Sequence, residues 1–442
     1  MVLLGFLLGC SPSEPLNVLL ISIDTLRPDH LSSYGGRWPT PGFDGLAAQG
    51  VRFESAYSTS PWTLPAHASM LSGRYPASID DDPNSFDLFR EAGLVSVTLK
   101  EHGYATGAVT GGLYVGSKFG LDAHFDYFEE EAKNQDLARA RRWLAEHGRE
   151  PFFFFFHTYV VHAPYEDRRY AEGDGGRLKE IYEGGVLNAP HMAVCCAGFS
   201  PTREERDFLI ALYQGGVAAA DRKVAALWKL LGDLGLRDET LVVVTSDHGE
   251  EFWEHTGRAA YHGHTLYDEL LRVPLIWVDP ERRGSARVVT EPVSLVDIVP
   301  TVLGRLGLEV PPSLDGVDLA PLLEDGRWNV DRVLLAEASR NGPERYSVRS
   351  DLGKLIVTVD PAVQRGEGVK FPVPVRAPVE LYDAADAAES HDLAGQEPER
   401  VRMLRQHVDP RIRRLPSGRS SGSLEGLDDE TRRKLRALGY AE

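Results

Sequence analysis

Five short apolar runs, separated by stretches long enough to form helices, constrain the fold of this chain more than any other feature. The first, Asn17–Ile23 (NVLLISI), is apolar almost throughout and ends abruptly at Asp24. A run of this length and composition is typical of a strand buried on both faces of a sheet. Strands that alternate with helices predict an α/β fold, with a mostly parallel sheet between two helical layers. The other four runs are Tyr104–Thr110, Pro151–Phe156, Thr240–Thr245 and Val273–Val278.

The pattern changes after about residue 330, where shorter strand-like segments replace the long apolar runs. These segments predict a small antiparallel sheet with one amphipathic helix packed on it. The predicted strands are Arg332–Glu337, Arg345–Arg349 and Lys354–Val359, and the predicted helix is Glu397–Val408. Two further helices are predicted earlier in the chain, over Arg203–Gly235 and Pro292–Leu306.

We therefore divide the 442 residues into four predicted segments. Residues 1–15 are predicted to form a lipoprotein-type signal and tether, and residues 16–330 to form the large α/β domain. Residues 331–414 form a smaller C-terminal α+β subdomain. Residues 415–442 form a linker, rich in serine and glycine at its start, followed by a short charged helix.

The charge balance narrows the range of partners. The chain has 48 Lys and Arg residues against 66 Asp and Glu residues, a net charge of −18. Such a chain repels nucleic acid and anionic membrane surfaces, so neither is expected as a partner. If its substrate is an anion, the binding site must supply positive charge locally.

The N-terminus carries a signal for the cellular compartment. Nine apolar residues, MVLLGFLLG, precede Cys10, and they are too few to span a bilayer as a helix. The stretch Leu7–Cys10 resembles a bacterial lipobox, in which the cysteine is lipidated, so we expect an exported protein that is periplasmic or membrane-anchored. A plain apolar N-terminus is the alternative. The adjacent cysteines Cys195 and Cys196 predict neither a disulfide framework nor a cysteine-based zinc site.

Polar residues with catalytic potential follow the predicted strands. Asp24 comes after the first strand, His157 and His162 follow the phenylalanine-rich strand, and Asp247 and His248 follow LVVVT. Ligands of open α/β sheets bind beyond the carboxyl ends of the strands. We therefore expect the chemistry at this edge of the sheet. Two strand-end carboxylates and an imidazole would make a suitable set of ligands for a divalent metal ion.

The segment TLPAHASMLSGR, beginning at Thr63, predicts a helix with a reactive hydroxyl at its start. Thr63 is suited to the N-cap, Pro65 to the first turn and Gly73 to the helix end. A hydroxyl there lies in the positive potential of free N–H groups, which favours an alkoxide and binds oxyanions. His67, four residues on, lies on the same helix face. A plain capping threonine is the alternative, and a metal held by the strand-end residues would favour the catalytic role.

Taken together, these segments resemble the sulfatase family of the alkaline phosphatase superfamily, in order, over residues 16 to 440. The resemblance implies the alkaline phosphatase-like α/β fold and the hydrolysis of sulfate or phosphate esters. The matching segments are Asn17–Gly35 (NVLLISIDTLRPDHLSSYG), Thr63–Arg74, Phe152–Tyr165 (FFFFFHTYVVHAPY), Thr245–Glu250 (TSDHGE), His262–Trp277, Pro292–Leu323 and Glu380–Leu393.

The resemblance also implies roles for individual residues. The metal ligands would be Asp24, Asp247 and His248, together with Thr63, which takes the position of the nucleophile. His162 matches the histidine that contacts the oxygens of the sulfuryl or phosphoryl group. His264 and His67 stand where many sulfatases have a lysine and the signature arginine. The implied catalytic set is therefore Thr63, His67, His162 and His264.

Four departures from the family pattern affect the predicted chemistry. Sulfatases oxidise cysteine or serine to formylglycine, whereas oxidation of Thr63 would give a ketone, so no formylglycine is expected. Thr25 replaces a second aspartate of the family. His67 and His264 replace cations, so anion binding depends on protonated histidines or on neutral N–H donors. The family's Gly-Lys-Trp-His segment is absent, and Lys118 is no more than a weak counterpart of its lysine.

Several alternatives stay open at this point. Thr63 could attack phosphorus, as in phosphodiesterases and phosphoglycerol-type phosphotransferases, or sulfur in a sulfate ester, or the chain could be a non-catalytic anion-binding relative. The metal could be Ca²⁺, Mg²⁺, Mn²⁺ or Zn²⁺. Asp221, His255 or His262 could bind a second metal ion. Alternatively, His157, His255 and His262 could contact the metal ligands without binding metal themselves. Oligomeric state cannot be derived from the sequence.

Overall fold

The computed structural model describes residues 15–130, 137–165, 167–173, 175–178, 200–255, 260–324, 328, 331–362 and 375–415. Cys10, Cys195, Cys196 and the predicted linker and C-terminal helix lie outside these described residues. Across the described ranges, no helix combines the length and the apolar character needed to cross a membrane.

The strands and helices follow one another in the alternation expected from the sequence. In chain order the strands are β1 (Asn17–Ile23), β2 (Val51–Tyr57), β3 (Ala105–Thr110), β4 (Tyr127–Glu130), β5 (Phe152–Thr158), β6 (Thr240–Thr245), β7 (Glu251–Phe252), β8 (Ala260–Tyr261), β9 (Arg272–Val278), β10 (Arg287–Val289), β11 (Val293–Ser294), β12 (Leu334–Ala336), β13 (Glu344–Ser350), β14 (Gly353–Val359) and β15 (Val379–Tyr382). The α-helices are α1 (Pro41–Ala47), α2 (Thr63–Ser72), α3 (Pro76–Ile79), α4 (Leu88–Glu91), α5 (Val95–Glu101), α6 (Ala138–His147), α7 (Arg203–Asp233), α8 (Asp268–Leu271), α9 (Ile298–Arg305), α10 (Ala320–Glu324) and α11 (Pro398–Arg414).

A nine-stranded sheet forms the centre of the molecule. Its strand order is β10-β2-β9-β6-β1-β5-β3-β4, and β11 pairs with β2. Every pair is parallel except those of β9, which runs antiparallel to both β6 and β2. The predicted α/β class with a mostly parallel sheet is confirmed.

The phenylalanines of β5 show why the central strands are apolar throughout. Phe153 and Phe155 pack into the core on one face of the sheet. Phe152, Phe154 and Phe156 pack into the core on the other face. Successive side chains of a strand point to opposite faces, so a central strand needs an apolar residue at every position when helices cover both faces.

One predicted helix is shorter in the structure. The sequence predicted a helix over Pro292–Leu306, but this segment begins with strand β11 and a single 3₁₀ turn, Leu295–Asp297, before α9 starts at Ile298. The predicted start of the helix at Pro292 was wrong, because Ser294 and Asp297 form a capping box at the beginning of the 3₁₀ turn. A capping box marks the beginning of helical structure, and the residues before it are free to extend a sheet.

The C-terminal part of the described chain has its own small sheet and core. Strands β12, β13, β14 and β15 form an antiparallel sheet in that order, as predicted for a sheet with one helix. The helix α11 packs on it through Leu404 and Val408. It continues beyond the predicted end at Val408, through Pro410 to Arg414.

The long helix α7 packs closely against the loop that follows β5, and two glycines allow this approach. A Cβ at Gly215 would lie 2.0 Å from the carbonyl oxygen of Asp167, and one at Gly216 would lie 2.8 Å from that of Val160. This loop carries His162, so the close contact helps to position a predicted site residue.

We expect Gly215→Ala to lower the free energy of unfolding by about 1–3 kcal/mol, because the new methyl group would collide with backbone that cannot move aside. Gly45→Ala is the matched control, since Gly45 also lies in a helix but has no atom within 4 Å of its added Cβ. The control is expected to gain about 0.5–1 kcal/mol from helix propensity. Urea denaturation of both variants measures the difference, and equal stabilities would contradict the packing argument.

Candidate active site

The register of three neighbouring strands brings the two predicted acids together. In the pairing of β1 with β5, Ile23 lies opposite Thr158, and in the pairing with β6, Ser22 lies opposite Thr245. The strands therefore end at nearly the same level, and the residues that follow them share one edge. The backbone N–H of Asp24 donates to the carbonyl oxygen of Thr158 at 3.1 Å, which holds Asp24 at that edge.

Thr25 turns the chain sharply after the first strand. Its φ of +59° is a left-handed conformation that a β-branched residue rarely adopts, at a cost of about 1–3 kcal/mol. Two hydrogen bonds hold this turn: the Thr25 hydroxyl donates to the Asp24 carbonyl at 2.7 Å, and the Tyr213 hydroxyl donates to the Thr25 carbonyl at 2.7 Å. The backbone N–H of Thr25 also approaches Oδ1 of Asp247 at 3.4 Å. The turn thus joins the two acids.

Thr63 occupies the first position of α2 and not the N-cap. The prediction of an N-cap threonine was wrong, because Trp62 has the extended backbone of the cap, with φ −152° and ψ 160°. The predicted helix end at Gly73 is correct, and this residue has the left-handed conformation with φ +72°. The hydroxyl of Thr63 donates to Oδ2 of Asp24 at 3.3 Å and lies 3.4 Å from Nε2 of His248.

Asp24, Asp247 and His248 form a compact group that could hold a metal ion. One ligand atom from each lies within 4.8 Å of the others, and all three residues are buried. Within the part of the chain that the structure describes, Oδ1 of Asp24 and Oδ2 of Asp247 accept no hydrogen bond. Buried carboxylate oxygens without donors are costly, so this group fits a cation.

The protonation of His248 also suits a metal ligand. Its Nδ1 lies 2.9 Å from the carbonyl oxygen of Gly249, which can only accept, so Nδ1 carries the proton. Nε2 then has a free lone pair, and it lies 3.3 Å from Oδ2 of Asp247. A ligating histidine usually has its second nitrogen held in this way by a carbonyl or carboxylate.

The electrostatics of the two acids favour the same conclusion. Burial raises the pKa of Asp24 well above its usual value. Burial, and then the nearby charge of Asp24, raise the pKa of Asp247. Two adjacent buried carboxylates resist ionising together unless a cation neutralises them.

His67 and His157 lie beside this group as neutral imidazoles. Nδ1 of His67 donates to the carbonyl oxygen of Thr63 at 2.8 Å, and its Nε2 accepts from Ser22 at 2.9 Å. Burial holds the pKa of His67 well below its usual value and lowers that of His157 to about 3. Nδ1 of His157 accepts from Gly111, so Nε2 carries the proton and lies 3.6 Å from Asp24.

His162 and His262 extend the site away from the metal group. The ring of His262 lies 4.5 Å from that of His248, and the ring of His162 lies 5.0 Å from that of His262. Nδ1 of His162 donates to the carbonyl oxygen of Ala163 at 2.6 Å, so Nε2 is the acceptor nitrogen of this ring. Burial lowers the pKa of His262 to about 3. His162, which was predicted to contact the anion, therefore lies near the metal group. Because its Nε2 can only accept a hydrogen bond in this tautomer, contact with an anion requires that either the anion or the ring is protonated.

His264 is buried, and its Nε2 lies 2.8 Å from Oε2 of Glu251. Its Nδ1 has no hydrogen-bond partner among the described residues. The remaining candidates lie elsewhere: the side chain of Lys118 is exposed in a 3₁₀ turn, and Asp221 accepts a hydrogen bond from the backbone of Phe43 in α1. Neither belongs to the metal group.

A second donor group consists of His255, Glu269 and Glu389. It borders a cavity of about 560 Å³ that contains none of the residues around Thr63. The ammonium group of Lys354 already lies 2.6 Å from Oε1 of Glu389. Glu269 in turn lies 3.1 Å from His255, so ion pairs within the protein already engage this group.

Glu250 is a site residue that the sequence did not single out. Its Oε2 accepts from the hydroxyl of Tyr165 at 2.8 Å, and its Oε1 lies 2.9 Å from Nδ1 of His262. Burial raises the pKa of Glu250 to about 8. Its place in TSDHGE, two residues after His248, was the available signal, but an acid after a turn is too common to be informative alone.

Comparison with known proteins agrees with this geometry. The family profile described as Sulfatase matches residues 16–308, well over half of the chain. The chain belongs to the sulfatase family. Arylsulfatase K of Xenopus laevis is 25% identical and is aligned over 92% of this chain and 84% of its own length. The family resemblance derived from the sequence is thereby confirmed, and this sulfatase-family chain is an ester hydrolase.

Two solved structures share the fold. BT4656, solved in complex with D-glucosamine-2-N,6-O-disulfate, superimposes with a TM-score of 0.68 at 18% identity, covering 91% of this chain and 98% of its own. The phosphonate monoester hydrolase of Agrobacterium radiobacter superimposes with a TM-score of 0.65 at 20% identity, covering 90% and 96%. The sulfatase-family fold thus serves both sulfate and phosphonate esters, and the fold alone does not choose between them.

Proposed function

We propose that this sulfatase-family hydrolase cleaves sulfate or phosphate esters with the unmodified hydroxyl of Thr63 as nucleophile, beside a divalent metal ion held by Asp24, Asp247 and His248. The observation that carries the proposal is the hydrogen bond of 3.3 Å between the Thr63 hydroxyl and Asp24, whose other oxygen accepts no hydrogen bond from the described chain. The hydroxyl thus lies at the edge of the group that fits a cation.

The proposed reaction has two steps. In the first, Oγ1 of Thr63 forms a bond to sulfur or phosphorus, the bond to the ester oxygen breaks, and the alcohol leaves with a proton. In the second, water attacks the same atom, Thr63 is released with its proton, and sulfate or phosphate departs. Water in the second step could be replaced by an alcohol, which would make the protein a transferase.

The surrounding residues have distinct proposed roles. A bound divalent cation supplies positive charge beside the hydroxyl and lowers its pKa. Asp24 orients the hydroxyl through its hydrogen bond. His162, His264 and His67 are proposed to face the oxygens of the transferring group or to position the residues that do. The carboxylates suit Ca²⁺, Mg²⁺ or Mn²⁺, and the imidazole of His248 favours Mn²⁺ or Zn²⁺.

The charge of the site favours singly charged esters. Asp24 and Asp247 together neutralise a divalent ion, and burial keeps His67, His157, His248 and His262 neutral by lowering their pKa values. Sulfate monoesters and phosphodiesters carry one negative charge, whereas phosphate monoesters carry two near neutral pH. The charge argument therefore places sulfate esters, phosphodiesters and phosphonate monoesters ahead of phosphate monoesters, and the match to the sulfatase family places sulfate esters first among them.

The test is a panel of these ester classes, assayed after chelation and after addition of Ca²⁺, Mg²⁺, Mn²⁺ or Zn²⁺. We expect no turnover in the chelated protein and recovery with at least one ion. Turnover that is unaffected by chelation would contradict the metal requirement. No turnover with any ion, together with tight binding of an anionic ligand, would identify the chain as a non-catalytic relative.

We also propose that the protein acts outside the cytoplasm as a lipoprotein anchored through Cys10. The support is the apolar run before this cysteine and its similarity to a lipobox. Labelled palmitate should be incorporated into the wild-type chain in a bacterial host and lost in Cys10→Ala. Incorporation that persists in the variant would exclude this anchor.

A further inference from the structure

The proposed active site contains few fixed positive charges. Within the described residues, the buried titratable side chains around the proposed metal group are acids and imidazoles, and an imidazole is not a fixed cation. Arg27 is engaged by Asp29 at 2.8 Å and by Glu254 at 2.8 Å. An ester anion that enters a chain of net charge −18 needs a cation besides the metal ion.

Arg340 lies beside the residues that lead into α2. Its guanidinium carbon is 5.0 Å from the ring centre of Trp62, 5.1 Å from that of Phe86 and 5.5 Å from that of Tyr114. Trp62 immediately precedes Thr63 in the chain. Arg340 is only 8% exposed, and the three aromatic rings that surround its guanidinium group include that of Trp62, the residue before the proposed nucleophile.

Backbone hydrogen bonds fix this arginine relative to the site. Nε1 of Trp62 donates to the carbonyl oxygen of Ala338 at 2.7 Å, and the N–H of Asn341 donates to the carbonyl oxygen of Gly263 at 2.9 Å. Gly263 lies between His262 and His264. Ala338 itself has a φ of +70°, a left-handed conformation that a non-glycine residue keeps only when its surroundings impose it. The segment is therefore attached both to the loop before Thr63 and to the histidine loop.

No carboxylate or carbonyl group within the described ranges forms a hydrogen bond or ion pair with the Arg340 side chain. Other enclosed arginines of this chain have such partners: Arg27 pairs with two acids, and Arg349 pairs with Asp268. Stacking on aromatic rings offsets part of the cost of burying a guanidinium but leaves its five N–H donors without a protein acceptor among the described residues. A nearly buried guanidinium with unused donors is suited to an oxyanion, because its planar fork can donate to two oxygens of a carboxylate, sulfate or phosphate group.

We propose that Arg340 is a specificity-determining residue that binds an oxyanion of the ester substrate. This inference rests on the proposed function for the identity of the ligand. The oxyanion has two sources with the same chemistry: the sulfuryl or phosphoryl group being transferred, or a second acidic substituent on the leaving group. Arg340 would add, from the C-terminal part of the chain, a fixed positive charge to a site where His67 and His264 stand in the places of the family's arginine and lysine.

The experiment compares the full-length wild type with R340Q and R340K, all loaded with the same metal ion. Calorimetry with inorganic sulfate and inorganic phosphate measures anion affinity without turnover. We expect R340Q to weaken the affinity about 10- to 100-fold, as the loss of a charged hydrogen-bond donor does, and R340K to recover part of it. R237Q is the matched control, because Arg237 also stacks on a tryptophan, Trp228, at 4.5 Å but lies away from the site.

Kinetics then identify which oxyanion is bound. If Arg340 contacts the transferring group, R340Q lowers kcat/KM equally for an aryl sulfate with and without an added carboxylate on the ring. If it contacts the leaving group, only the substrate with the carboxylate is affected, mainly through KM. Either pattern supports the proposal. If R340Q does not fold, R340K is compared with the wild type instead. Its expected loss of affinity is smaller, because lysine keeps the positive charge and lacks only the planar fork.

Three results would overturn the proposal: unchanged anion affinity in R340Q, an equal loss in R237Q, or no binding of either anion by the wild type. Failure of the proposed function is distinguishable from these. In that case the wild type would hydrolyse no ester with any metal ion but would still bind sulfate or phosphate in a manner that depends on Arg340.

Discussion

Replacing Thr63 by valine is expected to lower kcat for every ester that the wild type cleaves by about 10³-fold or more. Valine keeps the shape of threonine and removes the hydroxyl, so the loss reports the chemistry of Oγ1 and not a cavity. Thr63 is fully buried, and its hydroxyl donates to Asp24. The measurement is steady-state turnover of the best substrate of the panel, with the metal ion in excess.

A second variant and a measurement of metal binding serve as controls for this result. Thr63→Ser keeps a hydroxyl at the same place and should retain turnover within roughly tenfold of the wild type. Metal binding should persist in the valine variant, seen as a rise in melting temperature on adding the ion, because Asp24, Asp247 and His248 remain. Full turnover in the valine variant would remove Thr63 from the nucleophile position, whatever the metal does.

Replacing Asp247 by asparagine is expected to raise the stability of the metal-free protein and to weaken its binding of the metal ion. The metal-free protein should become more stable, since one of two adjacent buried carboxyl groups no longer ionises. The stabilisation on adding metal, about 3 kcal/mol at an ion concentration one hundred times the Kd, should be largely lost along with turnover. Paired thermal melts with and without the ion measure both effects.

The free energy of unfolding of the metal-free wild type is expected to fall as the pH rises, because of the same two acids. Burial raises the pKa of Asp24 and of Asp247 above their values in the unfolded chain. The folded state then binds protons more tightly than the unfolded state, so this contribution to stability is complete below about pH 4 and is lost as the pH rises through the folded pKa values. Asp247→Asn should flatten this fall, and saturating metal should remove it.

Asp221→Asn provides the matched control for this series. Asp221 is also a largely buried acid whose pKa burial raises, but it caps the backbone of α1 and lies outside the metal group. Its variant should keep the full thermal response to metal and the wild-type turnover. If Asp221→Asn loses the metal response as completely as Asp247→Asn, the assigned ligands are wrong.

The placement of the site depends on strand register more than on any single contact. Asp24 and Asp247 meet because Ser22 of β1 lies opposite Thr245 of β6 in a parallel pair. A slip of one residue would turn every side chain of a strand to the other face of the sheet. Because these strands are apolar on both faces, polar contacts at their ends must help to hold the register, and Oδ1 of Asn17 in β1 accepts a hydrogen bond from the backbone N–H of Phe152 in β5 at 3.1 Å.

The local sequence was sufficient for the residues that follow strands. Asp24, Asp247 and His248 were predictable as neighbours because parallel strands end at a common edge and an apolar run shows where each strand ends. The sulfatase resemblance added Thr63 from a separate helix, and the structure places its hydroxyl 3.3 Å from Asp24. Asp221, considered as a further metal ligand, and Lys118, considered as the counterpart of the family's lysine-containing segment, lie outside the metal group.

What the sequence by itself determined was the α/β sheet, its polar edge and the family of the chain, because these follow from apolar periodicity and short motifs that act within one strand or helix. Only the tertiary structure decided which nitrogen of each histidine carries the proton, that Trp62 and not Thr63 caps α2, and that Arg340 lies beside Trp62. Those properties depend on contacts between segments far apart in the chain. The partners of a buried polar group are set by packing, which no local pattern encodes.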